Sequence, residues 1–148
     1  MLKDPLTRGD LAAFFNTKNT HRALTCVLRG LGIRLNGGTT RWSVVLASLG
    51  LAEDQDPARQ AELTEPLLTA AGAAALIGVS SSVIYRWEKG RLAEGAQPFP
   101  KSIDLSGGRE NARAKRWRKA EIIAWHRGQR LPVYARAAPV FGSIRPPK

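Results

Sequence analysis

The stretch GVSSSVIYRWEKG, Gly78 to Gly90, follows the small apolar run LLTAAGAAALI and precedes a segment crowded with arginine. Thr69 stands where it can cap a helix whose residues Ala73, Leu76 and Ile77 share one face, and the alanines at 73–75 let a second helix approach closely. Gly78 supplies the turn, and Ser80 is placed to cap the next helix. On that helix Val79, Ile84 and Trp87 point back toward the first, while Ser81, Ser82, Tyr85, Arg86 and Lys89 follow the spacing of the opposite face. Short hydroxyls at a helix N-terminus let free N–H groups approach a phosphate, and Tyr85, Arg86 and Lys89 reach further toward base edges and backbone. Two helices joined by a glycine turn, with a polar outer face on the second, meet the requirements of a helix-turn-helix.

Downstream, Lys101 to Leu105 reads as one strand and Ala114 to Arg118 as its return, giving a β-hairpin wing with Ser106-Gly107-Gly108 opening its loop. Arg109, Arg113, Lys115, Arg116, Arg118 and Lys119 fall within 11 residues against the single acid Glu110. That density suits straddling phosphates or placing an arginine in a minor groove. Trp117, Ile122, Ile123 and Trp125 are the expected core contribution of a closing helix.

The succession LLTAAGAAALIGVSSSVIYRWEKG, FPKSIDLSGG and KRWRKAEIIAWHRG resembles the AlpA-type, excisionase-like branch of the MerR-like winged helix-turn-helix superfamily, over Leu67 to Arg127. The resemblance implies Ser81, Ser82, Tyr85 and Arg86 in the major groove of double-stranded DNA and the wing arginines in an adjacent minor groove. It also implies a phage or mobile-element setting. A recombination directionality factor working beside an integrase and a small transcription regulator working beside RNA polymerase both fit it. A small terminase subunit and a basic RNA-binding protein are the alternatives: the first lacks its long helical oligomerisation region here, and the second does not account for the helix order.

Residues 1–50 repeat the plan more weakly. Leu6-Thr7 opens this half as Leu68-Thr69 opens the other, and both reach Arg-Trp, at Arg41-Trp42 and Arg116-Trp117, before a last apolar helix. Leu11, Phe14 and Phe15 form one apolar face and Leu24, Val27 and Leu28 the next, leaving Lys18, Asn19, Arg22 and Thr25 outward and Arg41 near the end of the wing. Asn36-Gly37-Gly38 predicts a minimal hairpin between Ile33-Leu35 and Thr40-Trp42. Cys26 is expected in or near the core, and His21 on the surface. The fold expected is mainly α with small β-hairpin wings, a tandem winged helix-turn-helix.

Between the halves, residues 51–66 hold Glu53, Asp54, Asp56, Glu62 and Glu65 with two prolines, the composition of an acidic linker. The second module is expected over residues 67–130. Residues 131–148 carry four prolines and no helical pattern, as either a disordered tail or an arm lying on a neighbour. Such a linker would let the modules occupy sites about one helical turn apart, or self-associate on DNA.

Composition narrows the chemistry. The 148 residues carry 23 Lys+Arg against 12 Asp+Glu, a formal charge of +11, and 15 of the cations lie beyond the linker, so a polyanion is the natural partner. One cysteine allows no intramolecular disulfide, and no Cys/His set has zinc spacing, so neither metal nor cofactor is expected. SGGREN lacks the Lys-Ser/Thr ending of a phosphate loop, and no nucleophile–base pair is apparent, so catalysis is not expected. The longest apolar run falls short of the ~20 residues of a membrane span, and the N-terminus has no apolar signal core; a cytoplasmic protein with no membrane partner is expected.

Overall fold

The computed structural model describes residues 3–109 and 111–137; the rest of the proline-rich stretch lies outside the described residues. Among them the chain is mainly helical, with seven α-helices and two small two-stranded antiparallel sheets.

In the first half β1 (Leu6–Thr7) leads into α1 (Arg8–Phe15) and α2 (His21–Leu31), then β2 (Thr39–Thr40) and α3 (Trp42–Ser48). Threonine caps α1 and α2. Thr7 and Asp10 form a reciprocal capping box at α1, and the Thr20 hydroxyl accepts from the Ala23 amide at α2. Leu11, Phe14, Phe15, Leu24, Val27 and Leu28 are all buried, as their spacing predicts, and Phe14 packs edge-on against Trp42.

Here the expected hairpin is revised. Asn36 and Thr39 do close a tight turn, with backbone bonds in both directions. The return strand, however, pairs with β1, Leu6 opposite Thr40, because β1 offers a partner across the core that residues 33–35 do not.

The segment expected as a linker is ordered. It forms α4 (Pro57–Thr64), started by proline in its first turn, and buries Leu63 and then Leu67 in the first core. Gln55 is buried as well, bonding the carbonyls of Ala52 and Ala135 through Nε2. Residues 131–137 take the arm alternative over this span: Leu51 pairs with Arg136, and Ala52 donates to the Ala135 carbonyl. The acidic composition thus concealed one apolar stripe sufficient to dock a short helix.

The second half contains α5 (Ala70–Ile77), α6 (Ser81–Glu88), the hairpin strands β3 (Ile103–Asp104) and β4 (Lys115–Arg116), and α7 (Lys119–His126). Thr69 caps α5 through the Gly72 amide, and Gly78 ends it at φ 77°, the left-handed region open to glycine. Ala70, Ala73 and Ala74 face Ile84, Phe99, Trp117 and Ile122 in a second core, with Trp87 and Trp125 packed against it and Trp125 edge-on to Phe99. Leu76, expected on the inner face, points out instead, and the smaller Ala70 and Ala74 take the contact so that α5 and α6 can sit close. Leu68 pairs with Trp117 as Leu6 pairs with Thr40, so in both halves the segment before the first helix is bonded to the segment before the last.

The halves share a boundary. Leu105, in the hairpin of the second half, is buried in the core of the first, and Ile103 and Ala114 pack on that core too. Burying one leucine side chain is worth about 2 kcal/mol. Arg116 crosses the same seam, bonding the carbonyls of Phe15 and Asn16, while the Leu67 amide donates to Phe14.

Candidate nucleic-acid interface

The outer face of α6 is available along its length. Ser80, Ser81, Ser82, Arg86 and Lys89 are exposed, with Tyr85 half-buried between them and the core. Whereas Thr7, Thr20 and Thr69 each spend a hydroxyl on a backbone amide of their helix, the Ser80 hydroxyl caps none and instead meets that of Ser82 at 3.0 Å. The first turn of α6 therefore starts without a side-chain cap, and its amides keep their partial positive charge.

The hairpin is fastened to this helix at two points. The Tyr85 hydroxyl donates to the Ala112 carbonyl at 3.2 Å, in the 3-10 turn at residues 112–114. Lys115 Nζ donates to Glu88 Oε1 at 2.7 Å, and the Ser102 hydroxyl donates to Oε2 at 2.5 Å. Burial by itself raises the Glu88 carboxyl, but the hydrogen bonds from Lys115 and Ser102 outweigh it and hold the group below its ordinary range. The same contact with Glu88 raises Lys115. Helix and hairpin are thereby cross-linked on both sides of Trp87.

The hairpin loop is internally braced. Asp104 accepts from the Ser106 hydroxyl and amide and from the Gly108 amide; the Ser106 hydroxyl contact is the largest influence lowering its carboxyl. The Ser106 hydroxyl in turn accepts from the Arg109 amide, and Asn111 Oδ1 from the Arg113 amide. Both arginines are exposed at the end of this frame, and neither pairs with a carboxylate among the described residues.

The six cations expected to act together in this segment separate by role. Arg109 and Arg113 project outward, and Lys119 is exposed at the start of α7. Lys115 is held by Glu88. Arg116 faces inward, only 8% exposed, and directs four of its five N–H groups to the carbonyls of Phe15, Asn16, Arg113 and Lys115. Arg118 turns toward the C-terminal arm, within reach of Glu121 and over the Tyr134 ring at 5.4 Å. Within β4 strand alternation sends Lys115 and Arg116 to opposite faces, and the others fall in the loop, the 3-10 turn and the start of α7, so the run of cations does not share one surface.

In the first half Lys18, Asn19, Arg22 and Arg41 are exposed as expected. Thr25 is instead half-buried and accepts from Arg8, whose guanidinium also bonds the His21 carbonyl. His21 is on the surface, and Cys26, expected near the core, is exposed. Cys26 falls with Arg22 and Arg29 on the outer stripe of α2, one step from Val27 and off the buried face. Sequence reading passed over Arg29 and Gly30, although the i, i+4, i+7 spacing of residues 22, 26 and 29 marked the stripe.

No family model, curated protein or solved structure matches this chain. No group of three or more His, Cys, Asp or Glu residues among the described ones is disposed to hold a metal ion, and no helix among them is long and apolar enough to cross a membrane.

Proposed function

We propose that this protein binds double-stranded DNA sequence-specifically as an excisionase-type recombination directionality factor or a small transcription regulator, built from two winged helix-turn-helix modules. The observation that carries the reading is the fastening of α6 to the basic hairpin through Tyr85–Ala112 and Lys115–Glu88–Ser102. A helix that enters a major groove and a hairpin that lies over the flanking backbone must keep a fixed separation to contact one duplex together, and these bonds maintain it. Ser81 and Ser82 at the open first turn meet phosphate, Arg86 reaches base edges, and Arg109 and Arg113 follow the backbone into the neighbouring minor groove. The first half is the second copy of the plan, supported by the matching pairings Leu6–Thr40 and Leu68–Trp117.

Selection of genomic fragments by the purified protein, followed by footprinting at physiological salt, tests this. An enriched duplex with a discrete footprint is expected; its place beside an attachment site marks a directionality factor, and beside a promoter a regulator. Binding without enrichment, abolished at moderate salt, would overturn the reading.

A further inference from the structure

Between α2 of the first half and the hairpin loop of the second lies an open groove of about 480 Å³, lined by Cys26, Arg29 and Gly30 on one wall and Arg109, Asn111 and Arg113 on the other. A Cβ on Gly30 would lie 3.4 Å from the backbone of Gly107, so the two walls meet backbone to backbone at its base. Arg29, Arg109 and Arg113 pair with no carboxylate among the described residues, in contrast to Lys115 and Arg118 on the same hairpin. Arg116 also lines the groove, and among the described residues its buried guanidinium bonds only carbonyl dipoles and pairs with no carboxylate. Burial pushes its pKa down from the ordinary arginine value. A cation desolvated without a counter-ion is unfavourable by itself, and an anion seated above it recovers part of that penalty.

We propose that this groove between the halves seats one sugar–phosphate strand of the duplex that α6 engages, so that α2 and α6 grip the same DNA from either side of a shared hairpin. The inference rests on the DNA-binding reading and adds a second phosphate track that neither half has alone. DNA is the occupant argued for because the arginines extend along an open trough rather than around a closed cavity, and because the trough adjoins the hairpin that carries Tyr85's contact to α6.

The chain's one cysteine provides the probe, since Cys26 is exposed and lines the groove. The full-length protein is alkylated with the uncharged reagent N-ethylmaleimide, alone and saturated with a selected duplex, and the affinity of Arg29→Gln is followed across salt concentrations. The inference expects alkylation slowed at least about fivefold in the complex, and a salt slope for Arg29→Gln reduced by about one. Unchanged alkylation and an unchanged slope, with Arg86→Ala still weakening binding, overturn the groove and leave the function standing. Protection by inorganic phosphate at matched ionic strength without duplex would make it a small-anion pocket and equally overturn the inference. Failure of Arg86→Ala and Arg29→Gln alike to alter duplex binding removes the function reading along with it.

Discussion

Arg116 Nε donates to the carbonyl of Phe15 at 2.9 Å, joining residues 101 positions apart. A second bond, to Asn16, crosses the same seam, while those to Arg113 and Lys115 hold the guanidinium on its own hairpin. Arg116→Ala strands the buried Phe15 carbonyl and three part-buried ones and opens a void, and is expected to cost roughly 2–4 kcal/mol. Arg116→Lys should recover only part, because one ammonium cannot reproduce the planar fork. Urea denaturation checks both, and a wild-type transition shared by probes in each half is expected of interlocked halves.

Arg86 stands exposed on α6, so its loss should leave stability within about 0.5 kcal/mol. In DNA binding Arg86→Ala should cost about 1–3 kcal/mol and relax discrimination at one base position. Competition between the selected duplex and single-base variants of it reads this directly.

Arg113, exposed on the hairpin, is proposed to follow the DNA backbone. Arg113→Ala should weaken binding evenly across sequences and lower the salt slope by about one, with the base preference retained. Salt titrations on a selected and a scrambled duplex separate that result from the Arg86 outcome.

The Glu88–Lys115–Ser102 contact predicts an acid-sensitive hairpin. Glu88 is held below its unfolded carboxyl value, so its stabilisation is fully present above that unfolded value and is lost as pH falls through the lowered one. Lys115 is raised, so its share persists through neutral pH and fades only as pH rises through its raised value. Glu88→Gln should cost roughly 1–3 kcal/mol near neutral pH and flatten the acid limb of the stability profile. Protection of hairpin amides from hydrogen exchange should fall in the same variant.

Tyr134 offers a stabilising change. Its hydroxyl is buried with no hydrogen-bond partner among the described residues, and burial pushes its pKa far up. Tyr134→Phe keeps the ring against the first core and under Arg118 while removing the stranded hydroxyl. A gain of about 1 kcal/mol is expected in urea denaturation.

The sequence by itself determined the elements whose causes are local. Threonine caps, helical spacing of apolar residues and Gly78 located α1, α2, α5 and α6, and the polar spacing of α6 picked out Ser81, Ser82, Tyr85, Arg86 and Lys89, of which all but the half-buried Tyr85 are exposed. Tertiary structure decided everything that depends on which distant segment supplies a partner. Composition could not reveal that the acidic segment docks through Leu63, that β2 pairs with β1, or that Leu105 is buried in the other half's core. The arginine run shows the limit most clearly: charge density is a property of the chain, but which guanidinium faces solvent depends on strand alternation and on the carbonyls of Phe15 and Asn16. Local propensity therefore places helices, while the pairing of buried polar groups, which must be satisfied wherever the chain can satisfy them, sorts the cations into those that hold the halves together and those left exposed to solvent.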